Sequence, residues 1–433
     1  MSPTDAGFIG LAVLFVFLAL GLPIGTSMAL IGIAGFWYLV SGAAAISNAA
    51  LISFQIVSDY SFAVLPLFLL MAHVCFVSGL GQDLYGLAAK WLGHMRGGLA
   101  MATVGGCAAF AAISASSVAT AATMGLVSLP EMKRYKYDPA LATGAVASGG
   151  SMGVLIPPSG VLIVYGIITA QSIGKLFIAG IIPGILEAVF YIFTIFILCR
   201  IKPSLGPRGP QYTFTQKVKA LSTTGEVLIL VILVLGGLII GWFTPNEAGA
   251  VGAFGAIVIT LIRKRLNRQK LGQALLETMK TAGMIYGILI GALIFNYFLA
   301  VTNMPTRLAE IISGLSIPPL GIMGLIILVY IVLGCFFDAM GMVLLTIPIL
   351  FPLVTSLGFD PIWFGIIIVR VMEMAMITPP IGMNVYIISG VAPDVPLSTI
   401  FKGIVPFLIA DICEVALLLF VPQVVLYLPG IMK

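Results

Sequence analysis

The chain has 433 residues, of which 60% are hydrophobic and only 9% charged, and its mean hydropathy is +1.17. About twenty consecutive apolar residues already span a bilayer, so this composition excludes a soluble globular domain and fits an all-α polytopic membrane protein. Five cysteines stand singly without Cys-x-x-Cys spacing, which implies no metal or disulfide framework, and the net charge of +5 informs mainly through its placement.

The first apolar stretch, 8–40, lacks a basic leader region and a small-residue cleavage site; it reads as two short spans broken at Gly21-Leu22-Pro23 and retained in the mature protein. Further along, basic residues gather in four connections: Lys90 and Arg96; Lys133, Arg134 and Lys136; Arg200 to Lys219; and Arg263 to Lys270. Segments 41–60, 243–247 and 353–360 hold no Lys or Arg. The positive-inside rule puts the four basic connections in the cytoplasm and the uncharged ones outside. Spans then fall near 8–22, 24–40, 62–79, 139–168, 176–199, 226–243, 247–262, 275–300, 361–390 and 398–425, in an inner membrane with both termini periplasmic.

Two apolar pieces do not fit as spans. Residues 97–130 lie between cytoplasmic Arg96 and Lys133, so they enter and return on one side as a re-entrant hairpin. Its tip, Ile113-Ser114-Ala115-Ser116-Ser117, supplies polar groups for backbone freed at membrane depth. Pro130, Pro139, Pro157, Pro158 and Gly160 recur as Pro352, Pro361, Pro379, Pro380 and Gly382, an offset of 222 in every case. The repeat predicts a second hairpin at 321–352, entered from outside, with its tip at 336–341; the two halves are inverted. The chain divides into scaffold helices and an arm (1–60), repeat 1 (61–200, hairpin 97–130, broken helix 139–168), further scaffold (201–270) and repeat 2 (271–425, hairpin 321–352, broken helix 361–390).

Each hairpin is followed by a span interrupted at Pro-Pro: Gly149 to Gly160 in one half, Glu373 to Asn384 in the other. Proline removes a backbone N–H and glycine loosens the turn, so both helices should break there. One such pair alone reads most simply as a kink in a packed helix. Two register-matched copies, each following a polar hairpin tip, point instead to a site where carbonyls take Na⁺ and half-helix N-termini take an anion.

At these residues the sequence resembles the large membrane subunit of tripartite ATP-independent periplasmic (TRAP) transporters, of the DctM type. The resemblance rests on Ile113-Ser-Ala-Ser-Ser117, the Leu-Ile-Pro-Pro-Ser run ending at Ser159, Gly334-Cys-Phe-Phe-Asp338, and Glu373-x-x-x-x-Thr-Pro-Pro-x-Gly-x-Asn384. It implies a non-enzymatic elevator-type transporter importing a small organic acid, a C4-dicarboxylate or a sugar acid, with Na⁺ as coupling ion. It also implies two partners, a small four-helix membrane subunit (DctQ type) and a periplasmic substrate-binding protein. By the resemblance, Ser114, Ser116, Ser159 and Asp338 face substrate. Ser114, Gly149, Gly150, Gly153, Pro157, Gly341, Thr378 and Pro379 hold Na⁺, largely through backbone. Ala115 and Ala375 stand where the family usually has glycine.

The remaining polar residues read as structural. Arg370 and Glu373, three apart, form an intrahelical pair; Glu187, Asp411 and Glu414 make interhelical contacts; His73 is a hydrogen-bonded core residue. Amphipathic stretches 44–60 and 267–281 read as arm helices on opposite membrane faces. A single-subunit Na⁺/dicarboxylate carrier is the nearest alternative. An intramembrane enzyme lacks a His-Glu-x-x-His motif or a converging Ser/His/Asp set, and a pore leaves the paired hairpins unexplained.

Overall fold

The computed structural model describes residues 2–313 and 317–431, which form α-helices, two short 3-10 turns and no strand. Helices α1 (Pro3–Ala19) and α2 (Ile24–Leu39) flank the Gly21 break, followed by α3 (Gly42–Ser58), α4 (Val64–Val77) and α5 (Leu80–Leu92). A first helical hairpin pairs α6 (Gly98–Ser114) with α7 (Ser117–Arg134). Helices α8 (Pro139–Ser151) and α9 (Gly160–Thr169) are parted by irregular residues 152–159, and α10 (Ile173–Ile201), α11 (Phe214–Ile240), α12 (Pro245–Ile262), α13 (Arg268–Thr302) and α14 (Met304–Ser313) follow. A second hairpin, α15 (Pro319–Leu333) and α16 (Ala339–Ser356), precedes α17 (Pro361–Ile377) and α18 (Met383–Val391), and α19 (Leu397–Phe420) and α20 (Gln423–Ile431) close the chain.

The 222-residue offset recurs in the element starts. Ser116 caps α7 and Asp338 caps α16; Asp138 caps α8 and Asp360 caps α17. Asp138 Oδ1 accepts from the Ala140 and Leu141 amides at 2.9 and 3.3 Å, and Asp360 Oδ1 from the Ile362 and Trp363 amides at 2.8 and 3.0 Å. In both, proline follows at the first helical position, where its missing N–H costs nothing.

Among the described residues six helices are long and apolar enough to cross a membrane: Tyr60–Val77 (the short turn plus α4), α10, α12, α13, α16 and α19. The expected arm at 267–281 and span at 275–300 are one helix. Asn267 caps it by accepting from the Lys270 amide at 2.8 Å, and no proline interrupts the 35 residues that follow. At 1.5 Å per residue it is about 52 Å long, well beyond a hydrocarbon core of about 30 Å. Helices α5, α14 and α20 were not among the sequence expectations.

Two sets of helices pack preferentially among themselves. One joins α2, α3 and α4 with α13, and α12 with α4; the other gathers α6, α7, α10 and α19 around α8. Glycine sets the closest approaches: a Cβ on Gly144 of α8 would fall on the Gly403 backbone of α19, and one on Gly291 of α13 on the Gly25 backbone of α2. Helix α17 packs against α8, α10, α15, α16 and α19, and every residue from Ile362 to Ile377 is buried, so this helix is apolar nearly all round and enclosed by neighbours.

Candidate functional site

The first hairpin turns through Ala115, whose φ of 51° lies in the left-handed region, and α7 restarts at its cap, Ser116. Ser116 Oγ accepts from the Ala119 amide at 3.4 Å. Its carbonyl accepts from the Thr120 amide at 3.1 Å and from Thr120 Oγ1 at 2.8 Å, while Ser114 Oγ and Thr120 Oγ1 share a hydrogen bond of 2.7 Å. The serine cluster of the sequence thus first satisfies the backbone of its own turn.

This tip rests on the first helix break. A Cβ on Gly153 would lie 2.5 Å from the Ser116 carbonyl oxygen, one on Gly150 2.8 Å from Ala121 Cα, and one on Gly149 3.0 Å from Cys107 Sγ. The three glycines are therefore the seam along which the broken helix touches both arms of the hairpin. In a continuous helix the Gly153 and Val154 carbonyls would receive N–H groups from residues 157 and 158, and both are proline. Helix α9 restarts at Gly160 under Ser159, whose buried Oγ accepts from the Leu162 amide at 3.2 Å.

The second tip is built differently. Cys335 Sγ lies 3.9 Å from the Pro379 carbonyl oxygen of the second break, and Gly334 packs directly on Ala375, leaving no room for a Cβ. Asp338 Oδ1 accepts from the Gly341 amide at 3.1 Å, so this carboxylate caps α16 in the place Ser116 holds on α7. Gly341 lies against Ile24 at the start of α2. Thr378 Oγ1 donates to the Met374 carbonyl at 2.6 Å; Pro379 and Pro380 are exposed, whereas Pro157 and Pro158 are buried. Both Pro-Pro bonds are cis.

The two halves touch at several points around the breaks. A Cβ on Gly160 would lie 4.0 Å from the Ala115 carbonyl oxygen of the first tip and 3.7 Å from Met340 Cε beside the second. Ser117 Oγ lies 3.7 Å from Met376 Sδ. Leu155, in the first break, donates its amide to Glu373 Oε1 at 2.8 Å, and Asn384 Nδ2 donates to the Ala147 carbonyl at 3.4 Å. Buried Asn384 Oδ1 and Ser148 Oγ are left without a hydrogen-bond partner.

The sequence profile described as "Tripartite ATP-independent periplasmic transporter, DctM component" matches residues 11–424. The chain belongs to this family. The C4-dicarboxylate TRAP transporter large permease DctM of Pseudomonas aeruginosa is 34% identical to it, over 87% of this chain and 88% of the relative. The sialic acid large permease SiaM of Vibrio cholerae is 29% identical over 94% and 95%. The isethionate permease DctMQ of Oleidesulfovibrio alaskensis is 31% identical over 97% of this chain and 66% of that longer protein. Among solved structures, the YdaH transporter of Alcanivorax borkumensis shares the fold, with a TM-score of 0.61 and 16% identity over 88% of each chain.

This DctM chain also buries a charge cluster, in which the expected interhelical contacts of Glu187, Asp411 and Glu414 converge on Arg370 rather than leaving it to an intrahelical pair with Glu373. Arg370 lies 3.7 Å from Glu373, but its close partners stand on α19: Asp411 at 2.5 Å and Glu414 at 2.9 Å, with Glu187 of α10 at 3.5 Å. All five side chains are fully buried. Spacing along one helix favours the i,i+3 pair, yet the guanidinium fork reaches better-oriented carboxylates across the bundle. Glu373 joins this cluster to the first break through Leu155, a link whose one sequence signal is a glutamate within an apolar span. His73 Nε2 is buried without a hydrogen-bond partner, contrary to expectation.

Proposed function

We propose that this TRAP large permease is the translocating subunit of a Na⁺-coupled importer of a small organic acid. The observation that carries the reading is the convergence of both hairpin tips on the start of α9, beside carbonyls freed by Pro157 and Pro158. Helix N-termini offer N–H groups and partial positive charge, so the starts of α7 and α9 suit a carboxylate, with Ser114, Ser116 and Ser159 around it, while Asp338 at the start of α16 suits the substrate's hydroxyl groups. The oxygen sets near Gly149 to Pro157 and near Gly341, Thr378 and Pro379 suit Na⁺. The relatives named above carry C4-dicarboxylate, sialic acid and isethionate in their names, all organic acids, and the substrate of this chain is placed in that class.

In this reading the set around α8 moves against the set around α13 as an elevator, in the bacterial inner membrane with the basic loops cytoplasmic and both termini periplasmic. Repeat-related cavities support the inverted arrangement. One of about 350 Å³ is lined by Gly125, Leu129, Pro130 and Val391; another of about 330 Å³ is lined by the offset partners Ile347, Phe351 and Pro352 with Thr169. The first is flanked by the Lys133 and Asp394 ion pair at 2.5 Å, which holds the Asp394 carboxyl below its usual range, and the second is walled by Asn296 and Asn303 of α13 and its end. A DctQ-type subunit and a periplasmic binding protein complete the transporter.

Thermal unfolding of the purified chain in NaCl against equimolar KCl tests the ion site without transport. Binding to the folded state alone raises the unfolding temperature, so Na⁺ should stabilise in a saturable way. Equal curves in the two salts would remove the Na⁺ assignment.

A further inference from the structure

We propose that the cleft lined by Arg96, Arg200 and Arg208 binds the phosphate of an anionic phospholipid. The cleft has a volume of about 460 Å³ and includes His94 and Phe196. Residues Arg96 and Arg208 face each other across an isolated antiparallel bridge, the only one among the described residues. Like charges directly opposite in such a pair repel, and no ion pair to Arg96, Arg200 or Arg208 occurs among the described residues to relieve it.

The backbone holds this arrangement in place. Gly97 donates to the Gly206 carbonyl at 2.8 Å, Gly209 to Gly93 at 2.8 Å, and Asp138 to Leu205 at 2.9 Å. The two segments approach so closely that a Cβ on Gly206 would lie 2.7 Å from Gly97 Cα. Arg200 is oriented over the Phe196 ring at 5.3 Å. Three arginines are thus held by the backbone around one cleft, without an ion pair among the described residues, and an oxyanion is the ligand that guanidinium forks match.

The neighbouring surface selects lipid over free phosphate. Phe193, Ile197 and Ile201 are exposed and follow one another at helical spacing along α10, leading up to Arg200 at its end. An acyl chain lying on that stripe puts its headgroup in the cleft. With the basic loops at the cytoplasmic face, as proposed above, the cleft sits at headgroup depth in the leaflet.

The test uses the delipidated full chain in detergent, with thermal unfolding followed during titration with phosphatidylglycerol, phosphatidylcholine or inorganic phosphate. Phosphatidylglycerol should stabilise and the other two should not. Joint Arg96→Gln, Arg200→Gln and Arg208→Gln substitution should raise the phosphatidylglycerol concentration required at least about tenfold, while Arg134→Gln with Lys136→Gln should not. Arg208→Gln alone, for use if the triple variant does not fold, should weaken the lipid effect yet leave the lipid-free protein at least as stable as the parent. An unchanged titration in the Arg variants, or equal stabilisation by phosphatidylcholine, overturns the proposal. Full stabilisation by inorganic phosphate would assign the cleft to a free anion instead.

Discussion

Ala115 turns the first hairpin with a left-handed φ of 51°, a conformation that costs an L-residue about 1 kcal/mol and glycine almost nothing. Ala115→Gly should therefore match or exceed the parent in thermal stability, whereas Ala115→Val should unfold at lower temperature. Asp338 raises a sharper question, because its carboxylate caps α16. Asp338→Ala should lose about 1 kcal/mol of stability, and Asp338→Ser, which restores the residue type found at Ser116, should regain most of it. Uptake by the serine variant then separates the roles: recovery means a cap, and continued loss of about tenfold or more means that the charge itself is used. Arg370 is the one cation that four buried acidic side chains surround, so Arg370→Met should destabilise by about 3–5 kcal/mol in chemical denaturation, and Arg370→Lys should rescue little of it. The motif residues themselves were legible in the sequence. Their partners were not, because the links from Glu373 to Leu155 and from Arg370 to Asp411 and Glu414 cross 218, 41 and 44 residues of chain and depend on which helices are neighbours.

Hairpins and broken helices were legible as elements because proline, glycine and acidic caps punctuate the chain at fixed places, and those signals act within one turn. The second hairpin was found through the repeat rather than through its own composition. The fusion of the arm with α13 was hidden, since an amphipathic stretch followed by an apolar one looks the same whether or not the helix is continuous. Orientation remains the element-scale expectation most open to experiment. In a Cys413→Ser background, which removes the exposed native thiol, Ser204→Cys and Asn267→Cys should be labelled by an impermeant maleimide only from the cytoplasmic side, and Ser356→Cys only from outside. Labelling of Ser204→Cys and Ser356→Cys from the same side would end the inverted arrangement.

At the scale of the whole molecule, both hairpin tips approach the start of α9, while α2 contributes Ile24 at the second tip and α13 walls a cavity beside it. The proposal that bears most on the whole molecule is that the chain moves an organic acid only as part of a three-component, Na⁺-driven system. The direct measurement is uptake into proteoliposomes holding this chain and its small membrane subunit, with substrate supplied free or loaded on the periplasmic binding protein, under an inward Na⁺ or K⁺ gradient. Accumulation is expected only with loaded binding protein and Na⁺. Robust uptake of free substrate, or undiminished uptake in K⁺, would contradict it.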